Sequence, residues 1–542
     1  MTRAFVWTSA GPGRRGALTS LLPDRVEIGD AAGAEAAIVD GDLDTVPDGL
    51  AADLAAIAER GGSVILIGGP TGDLATLAGV TVDEPVGPAE IFLTGALAHP
   101  ALARTADEWP VDDDLVALRP TGDVVVLLTS SIRFRHVPAV VERRLGRGRI
   151  VTAGVGRTDA ALGDRDLRLV LSRLLRPVAA EAPPADLGLA VVGYGPFGGM
   201  GYLHGNAAAN VDGLEFAAAV DTDSNRRKAA EQEFPGITTY ADMADLLNDD
   251  AVDIVVIATP PNSHASLALE ALRAGKHVVA EKPMCITVAE ADELIATADA
   301  HGLALTVNQN RRWDPDYRTL RRAVERGLVG DVFNIETFVG GFEHPCRAWH
   351  SEVAVSGGAI YDWGSHHIDW ILQLMDDDPV TVVAHGHKRV WQDVTNLDQV
   401  RVRLGWADGR EAQFLQSDVA GFRPPKLYVQ GTKGTVTGHY RPFSVERVEP
   451  GLGYVNEQSH HAEAPVDLTL ARYEPGWGLT ETTLPPQPAA PHAFHRNLAD
   501  HLHLGEPLDV GPGQVRRVIA VLEAAQRSVE AGGTVEHPDF TA

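Results

Sequence analysis

Residues 187–198 read Leu-Gly-Leu-Ala-Val-Val-Gly-Tyr-Gly-Pro-Phe-Gly, an apolar run that ends in a glycine-rich turn. The four apolar residues from Leu189 to Val192 are typical of a buried strand. Gly193, Gly195 and Gly198 then give the spacing Gly-x-Gly-x-x-Gly. In a dinucleotide-binding turn the first glycine permits the tight turn, the second lets a pyrophosphate approach the backbone, and the third lets the next helix pack closely.

An acidic residue after the following strand supports this interpretation over a plain loop. The strand predicted from Leu214 to Val220 ends in Asp221, 23 positions after Gly198, near the roughly 20 expected for a carboxylate that binds the ribose hydroxyls. Such a carboxylate repels a 2′-phosphate, so NAD is favoured over NADP. Arg226 and Arg227 would soften that preference. The sequence therefore predicts a Rossmann NAD-binding domain.

Composition limits the class of protein. With 542 residues the chain is too long for one core, and its net charge of −28 argues against nucleic-acid or anionic-membrane partners. Cys285 and Cys346 are the only cysteines, which leaves no disulfide framework and no cysteine-based metal site. No apolar run approaches the ~20 residues of a membrane span. Arg14-Arg15 is not followed by an apolar segment, so a cytoplasmic location is expected.

Residues 1–177 alternate between strand and helix patterns. The predicted strands lie at 4–7, 36–39, 64–67, 124–128 and 150–153. The predicted helices include 50–59 and 166–175. Strands that alternate with helices predict an N-terminal three-layer, flavodoxin-like α/β domain.

This N-terminal domain resembles the ThuA-like branch of the class I glutamine-amidotransferase-like fold. The resemblance rests on His99-Pro100, Asp107-Glu108-Trp109 and Gly146-Arg147-Gly148-Arg149-Ile150-Val151. An amidotransferase needs a nucleophilic cysteine after a central strand. Here Gly68-Gly69-Pro70-Thr71 occupies that place, and the histidine that ThuA-like proteins usually carry there is also missing. We therefore expect residues 1–177 to be non-catalytic and to serve packing or assembly.

A proline-containing linker at 178–186 precedes the dinucleotide-binding domain, which we place at 187–310. Two later strands of this domain, at 253–258 and 276–280, end in polar motifs. The first is followed by Thr259-Pro260-Pro261-Asn262 and the second by Glu281-Lys282-Pro283. Ligands of open α/β sheets bind at these carboxyl ends.

The pattern changes at about residue 311. Strand-like runs occur at 332–339, 380–385, 399–404, 411–416 and 426–430, and a final helix is predicted at 515–530. Residues 311–542 therefore predict an α+β domain with an open, mostly antiparallel sheet.

The second informative motif lies within residues 357–369. On a helix Asp362, His366 and Asp369 are spaced i, i+4 and i+7 and share one face. A carboxylate beside an imidazole suits a general base, although an isolated motif of this kind is more often structural. Consecutive helical residues point about 100° apart, so His366 and His367 cannot chelate one ion, and no metal is expected.

Together these motifs resemble the Gfo/Idh/MocA oxidoreductase family over about 187–542. The resemblance implies the catalytic residues Lys282, Asp362 and His366. It implies the cofactor-binding residues Gly193, Gly195, Pro196, Phe197, Gly198, Asp221, Thr222, Thr259, Pro260, Asn262, His264, Glu281 and Lys282. It implies the substrate-binding residues Asn310, Arg311, Arg312, Trp313, Trp349, His350 and Asp369. Pro283 is expected to follow a cis peptide bond, as the equivalent proline often does in this family.

The function that the resemblance implies is an NAD-dependent dehydrogenase. It would act on a secondary hydroxyl of a sugar, sugar derivative or cyclitol, and tryptophans near the motifs suit the apolar faces of a sugar ring. An NAD-dependent glycoside hydrolase on the same fold and a non-catalytic dinucleotide or sugar sensor are the alternatives. The presence of Lys282, Asp362 and His366 together argues against the sensor. A homo-oligomer is expected, because relatives commonly associate through the exposed sheet face of the second domain.

The sequence also suggests how the reaction would be divided among the residues. His366 would take the hydroxyl proton, Asp362 would orient His366, and Lys282 would hydrogen-bond the same oxygen, since imidazole titrates near working pH and an ammonium donates. The roles of Lys282 and His366 are exchangeable at this stage.

Overall fold

The structure, a computed structural model, describes residues 3–22, 27–97, 99–102, 105–106, 108–132, 135–176, 186–195, 199–346, 348–440 and 465–541. The chain divides into two compact units, Met1–Pro184 and Ala185–Ala542. Linker residues 178–185 lie outside the described residues, and so do Pro196, Phe197 and Gly198 of the glycine turn. In the described part of the chain, no helix has both the length and the apolar character needed to cross a bilayer.

The first unit contains eleven described strands and five described α-helices. The strands are β1 Arg3–Thr8, β2 Glu27–Ile28, β3 Ala36–Asp40, β4 Ser63–Ile67, β5 Val80–Val82, β6 Val86–Gly95, β7 Glu108–Leu115, β8 Leu118–Pro120, β9 Val125–Ile132, β10 Arg135–Leu145 and β11 Gly148–Ala153. The helices are α1 Pro12–Thr19, α2 Leu50–Glu59, α3 Gly72–Ala78, α4 Asp159–Leu162 and α5 Arg165–Leu174.

Nine of these strands form one sheet in the order β2-β1-β3-β4-β11-β10-β9-β6-β7. The first five pair in parallel, in the relative order of a flavodoxin-like sheet. Successive residues of β3 enter different apolar clusters, Ile38 with helices α1 and α5 and Val39 with α2 and α3. This alternation makes three layers.

The remaining strands of that sheet pair antiparallel, and of these only β9 was predicted as a strand, at 124–128. β7 shows why the others were not predicted from the sequence. It reads Glu-Trp-Pro-Val-Asp-Asp-Asp-Leu, a composition poor in strand formers, yet Trp109, Val111, Asp113 and Leu115 alternate as buried positions. Pairing with β6, rather than intrinsic preference, makes this segment a strand.

The second unit begins with the dinucleotide-binding sheet. Its strands are β12 Leu187–Val192, β13 Leu214–Val220, β14 Thr238–Tyr240, β15 Ile254–Ile257, β16 His277–Ala280 and β17 Leu305–Val307. Its helices are α6 Met200–Asn210, α7 Ser224–Glu233, α8 Met243–Leu247, α9 His264–Arg273 and α10 Val288–His301. The strands are parallel in the order β14-β13-β12-β15-β16-β17, which is the Rossmann order. All their carboxyl ends therefore meet at one edge.

The rest of the second unit is an α+β arrangement. Its strands are β18 Val332–Gly340, β19 Thr381–His387, β20 Gln399–Gly405, β21 Glu411–Ser417, β22 Leu427–Gly431, β23 Thr435–His439, β24 Asp467–Glu474 and β25 Gly478–Thr483. Its helices are α11 Pro315–Glu325, α12 Val353–Ser356, α13 Ala359–Asp362, α14 Gly364–Met375, α15 Ala493–Leu504 and α16 Pro512–Glu530.

These eight strands form one open sheet in the order β19-β20-β21-β18-β22-β23-β24-β25. Only the β18–β21 pair among them is parallel, so the predicted mostly antiparallel sheet is confirmed. Phe414 of β21 packs in the same buried cluster as Ile368 of α14 and Leu522 of α16. Helix α14, which carries His366 and Asp369, is thereby packed against this sheet, while Asp362 ends the separate helix α13.

Candidate functional site

The glycine turn after β12 places its tightest contacts at Gly193 and Gly201. Gly193 has φ +100°, and a Cβ there would lie 2.6 Å from the carbonyl oxygen of Ala258. A Cβ on Gly201, in the first turn of α6, would lie 3.0 Å from the carbonyl oxygen of Gly193. Gly201 thus packs closely against this turn, whereas Gly198, to which the spacing assigned that packing, lies outside the described residues.

Asp221 lies directly after β13 and is almost fully buried. Its Oδ2 accepts a hydrogen bond from the backbone N–H of Tyr194 at 2.9 Å, which ties the carboxylate to the glycine turn. Arg226 approaches the same oxygen at 3.5 Å and lies against Gly195. The neighbouring Thr222 accepts a hydrogen bond from Arg227 through its carbonyl, at 3.2 Å. The predicted ribose-binding carboxylate therefore has an arginine beside it.

The polar motif after β15 is held by His264. Its Nε2 lies 2.7 Å from the carbonyl oxygen of Thr259, and its Nδ1 lies 2.7 Å from that of Pro283. His264 thus contacts the turns that follow two neighbouring strands. Pro260 and Asn262 shape the first of these turns, where Pro261–Ser263 forms a single 3₁₀ turn. The Lys282–Pro283 peptide bond in the second turn is cis, as expected.

Glu281 is buried and hydrogen-bonded within the protein. Its Oε1 lies 2.9 Å from His204 Nε2 and accepts from the Asn308 side chain at 2.8 Å. Its Oε2 accepts from the backbone N–H of Lys282 at 3.1 Å. His204 also contacts His495 of α15, since His204 Nδ1 and His495 Nε2 lie 2.8 Å apart. No sequence pattern pointed to either histidine, since the two are almost three hundred positions apart.

Lys282 and Asp362 meet across the two halves of the unit. Lys282 follows β16, Asp362 ends α13, and the ammonium Nζ lies 2.8 Å from Asp362 Oδ1. The same Nζ donates to the carbonyl oxygen of Asp362 at 3.2 Å and lies 5.8 Å from the centre of the Trp363 ring. About a quarter of each charged side chain is exposed, so both remain accessible.

His366 is oriented by a residue that sequence reasoning missed. Its Nδ1 lies 3.0 Å from Oε1 of Gln309, while the Gln309 amide nitrogen donates to the carbonyl of Ser365 at 3.1 Å. Because Gln309 presents an acceptor, His366 carries its proton on Nδ1 and has its lone pair on Nε2. The orienting hydrogen bond that the sequence assigned to Asp362 is therefore made by Gln309, and the carboxylate of Asp362 contacts Lys282 instead.

Burial controls the protonation of His366. The imidazole is only 3% exposed, and burial, followed by the charges of Lys282 and Arg311 and by His367, lowers its pKa well below the ordinary value. His366 is therefore neutral near pH 7, as a general base must be.

Arg312 and Asp369 form a buried ion pair. Arg312 Nε donates to Asp369 Oδ2 at 2.7 Å, and its second nitrogen contacts Oδ1 at 2.5 Å. The guanidinium also donates to the carbonyl of Asp509 at 2.6 Å. The structure places this predicted substrate-binding pair between the 3₁₀ turn Asn310–Trp313 and α14, where both side chains are almost fully buried.

The other predicted substrate residues are aromatic or cationic. Arg311 lies over the Trp363 ring, with Cζ 5.7 Å from its centre. Trp349 and His350 stack with ring centres 3.6 Å apart, and Trp313 packs edge-on against Phe494. Trp363 is thus covered by both Lys282 and Arg311.

Asp418, directly after β21, is a further carboxyl group near these residues and had not been singled out. Burial raises its pKa to about 7, and the charges of Asp362, Asp398 and Glu343 add to that effect. Trp391 fixes its backbone by donating to its carbonyl at 3.0 Å. This carboxyl group titrates near neutral pH.

Comparison with protein families matches both halves of the second unit. The family model described as an oxidoreductase family with an NAD-binding Rossmann fold matches residues 187–309. The model described as the GFO/IDH/MocA C-terminal domain matches residues 317–437.

Similar proteins have related names. The uncharacterized oxidoreductase YdgJ of Escherichia coli is 34% identical over 342 residues, which cover 62% of this chain and 96% of that protein. The scyllo-inositol 2-dehydrogenase (NADP(+)) IolW of Bacillus subtilis is 25% identical over 352 residues, covering 64% and 94%. A solved NAD-binding protein from Listeria innocua superposes with a TM-score of 0.56 and 28% identity, covering 66% of this chain and 98% of that chain.

Proposed function

The chain belongs to the Gfo/Idh/MocA family of oxidoreductases, and we propose that it transfers a hydride between NAD and a secondary hydroxyl of a sugar, sugar derivative or cyclitol. The chain is a dehydrogenase of this family. The family model that it matches is described as an oxidoreductase family with an NAD-binding Rossmann fold. A relative named for the oxidation of a cyclitol supports the proposed substrate class.

The observation that carries the proposal is the pairing of two functional groups at the carboxyl edge of the Rossmann strands. Lys282 presents an ammonium fixed by Asp362, at 2.8 Å. His366 presents a neutral imidazole fixed by Gln309, at 3.0 Å. An alcohol that loses a hydride also loses its hydroxyl proton, so it needs a donor that stabilises the oxygen and a base that accepts the proton.

In the proposed mechanism Lys282 donates a hydrogen bond to the reacting oxygen. Two ammonium hydrogens are directed to Asp362, which leaves the third for the substrate. His366 accepts the hydroxyl proton on Nε2, because Nδ1 already donates to Gln309. Asp362 holds Lys282 in place and balances its charge. This assignment gives Lys282 the stabilising role and His366 the role of base.

The described residues fit a dinucleotide. Gly193 is positioned where a side chain would collide with Ala258, and the buried Asp221 stands at the ribose position after β13. Asp221 and Thr222 would hold the adenosine ribose, and residues 259–264 together with Lys282 would hold the nicotinamide half. When bound, the cofactor supplies the hydride acceptor.

For residues 1–177 we propose a ThuA-like domain without catalytic function. The parallel part of its sheet supports this fold. Arg14 and Asp40 form a buried salt bridge of 2.7 Å at the carboxyl edge, where flavodoxin-like sheets bind their ligands. We also propose that the whole protein is a cytoplasmic homo-oligomer, with the open face of the eight-stranded sheet as the contact between copies.

The test is a screen of free sugars, cyclitols and aryl glycosides with NAD. Reduced cofactor is followed by its absorbance and released aglycone by its own. We expect net NADH formation with at least one free polyol. We also expect that no aglycone is released in the absence of net NADH formation. Aglycone release without net NADH would instead support the NAD-dependent glycoside hydrolase. Tight cofactor binding with no turnover on any compound would support the sensor.

A matched pair of variants makes the screen specific to the site. His366→Asn removes the proposed base, whereas His367→Asn changes the next residue. His367 is buried beside Trp370 and Phe414, on the side of the sheet core. Loss of NADH formation in the first variant but not in a folded second variant supports the proposed base. Equal turnover in both would contradict it.

A further inference from the structure

A chain of buried polar side chains ends beside the proposed reaction site and has no role in the mechanism above. It runs from His495 on α15 through His204 on α6 to Glu281 after β16, with separations of 2.8 Å and 2.9 Å. We call it the Glu281 chain. His204 is fully buried, and Glu281 and His495 are each 7% exposed. Three separate elements thus converge on one carboxylate.

The contacts of Glu281 are those of an ionised carboxylate. It accepts from His204 Nε2 and Asn308 Nδ2 on one oxygen and from the backbone N–H of Lys282 on the other. Burial alone raises the pKa of this carboxyl group, but the hydrogen bonds and charge of His204, the bond from Asn308 and the charge of Lys282 outweigh it, so its pKa lies below the ordinary value.

The position of this carboxylate gives it a consequence for the cofactor. Glu281 adjoins Lys282, which under the proposed function contacts the reacting hydroxyl. Hydride transfer requires the reacting atoms to be about 3–3.5 Å apart. Under that function the nicotinamide ring would lie close to Lys282, whose own backbone N–H donates to Glu281 Oε2 at 3.1 Å. The oxidised ring is a cation and the reduced ring is neutral, so a fixed negative charge distinguishes them.

We propose that the Glu281 chain holds a fixed negative charge beside the nicotinamide position and thereby strengthens the binding of NAD⁺ relative to NADH. Glu281 supplies the charge. His204 and His495 are positioning residues that act through it, since their hydrogen bonds keep the carboxylate ionised and in place. This inference rests on the proposed function, because it takes the location of the ring from the reacting hydroxyl.

The first test measures the dissociation constants of NAD⁺ and NADH for the full-length protein without substrate, by quenching of tryptophan fluorescence. Glu281→Gln keeps the shape and removes the charge. We expect the ratio Kd(NAD⁺)/Kd(NADH) to rise about 10- to 100-fold, the effect of one charge several ångströms away at an effective dielectric constant near 20. Glu281→Asp keeps the charge and should stay within about threefold of the wild-type ratio. An unchanged ratio in Glu281→Gln, or equal weakening of both cofactors, overturns the inference.

The second test leaves Glu281 in place and changes its support. In His204→Leu the carboxylate loses one donor, so its pKa rises, and the groups that still face it are Asn308, the Lys282 ammonium and His264. Deprotonation with rising pH then restores the charge. We expect the affinity of this variant for NAD⁺ to increase as pH rises through that raised pKa, while its affinity for NADH stays constant. A ratio independent of pH in this variant would contradict the role of His204.

His495 has its own pair of variants. His495→Gln retains a polar side chain that can hydrogen-bond His204 Nδ1, whereas His495→Leu does not. We expect a raised Kd(NAD⁺)/Kd(NADH) ratio in the leucine variant and recovery in the glutamine variant. Equal Kd(NAD⁺)/Kd(NADH) ratios in the two variants would show that His495 takes no part, and the effect would then depend on Glu281 and His204 alone. Failure of the wild-type protein to bind either cofactor would defeat the proposed function itself, which separates the two outcomes.

Discussion

Each of the two units of this chain contains parallel strands. The side chains at the carboxyl ends of these strands differ between the two units. In the dinucleotide-binding sheet, the strands end in a glycine turn, in Asp221 and in Lys282. These groups leave room for a ligand, since Lys282 and Asp362 are each about a quarter exposed. In the first unit, α1 directs Arg14 onto Asp40 at the end of β3, where both side chains are less than a tenth exposed.

In the first unit, buried side chains thus occupy the carboxyl ends of the parallel strands, where the second unit leaves room for a ligand. Arg14 donates to both carboxylate oxygens of Asp40, at 3.1 Å and 2.7 Å, and also contacts Asp159 and the carbonyl of Gly156. Thr8, the last residue of β1, donates to Asp40 at 2.9 Å. Similar sheet topology therefore does not imply similar function. What matters is which side chains stand where the strands end.

The largest expected effect comes from the reaction groups. His366→Ala should lower the rate of the chemical step about 10²- to 10⁴-fold, because a positioned base contributes that much, with little change in NAD affinity. Lys282→Ala should be at least as damaging, since it removes the donor to the reacting oxygen. Single-turnover measurements on the true substrate would check both. Near-wild-type turnover in either variant would refute the mechanism.

Breaking the corresponding contact in the first unit should affect stability instead. Arg14→Met leaves Asp40 buried without its charged partner, which typically costs about 3–5 kcal/mol of unfolding free energy. Denaturant unfolding, followed by the tryptophans of the first unit, would measure this loss. Turnover per folded, cofactor-loaded site should not change. A large fall in turnover at full cofactor loading would show that the two units are functionally linked.

Cofactor choice provides an intermediate effect. Asp221 should favour NAD over NADP by about tenfold or more, and Asp221→Ser should reduce that preference by removing the repulsion of a 2′-phosphate. Arg226, 3.5 Å from Asp221, should become a phosphate partner in the serine variant. Arg226→Ala in that background should then weaken NADP binding selectively. Titration of both cofactors would decide, and a wild-type Kd for NADP at or below that for NAD would contradict this assignment.

The pH profile should report His366. Burial, then the nearby charges, lowers its pKa below the ordinary value near 6.5. A base is active when unprotonated, so turnover should fall only as pH drops through that lowered pKa, and the acidic limb should lie below pH 6.5. The limb should disappear in His366→Ala. A limb at or above 6.5 that survives in this variant would assign it to another group.

The last change, removal of the first unit, is expected to have no effect on turnover. A protein consisting of residues 187–542 should turn over as fast per cofactor-loaded site as the full chain, because the groups described for the reaction all belong to the second unit. Steady-state rates normalised to bound NAD would test this. Complete loss of chemistry in a folded, cofactor-bound truncation would instead give residues 1–177 a direct role.

Much of the second unit followed from local sequence. Short apolar runs with glycine or polar stops predicted most of the Rossmann strands to within a residue or two, because parallel strands are buried on both faces. Segments stabilised by pairing were missed, as β7 and the β24–β25 hairpin show. The short strand β14 was also not predicted; it ends at Tyr240, and Asp242 caps α8 two residues later. Neighbouring strands and caps decide such boundaries.

The sequence by itself determined the family and the cofactor class and predicted Lys282, Asp362 and His366 as reaction groups, because these depend on motifs contiguous along the chain. Only the tertiary structure decided how those residues are paired: Asp362 with Lys282, Gln309 with His366, and Glu281 with His204 and His495. Each pair joins separate elements, and hydrogen bonds depend on distance and direction in space. Sequence spacing carries neither once the chain has turned back on itself.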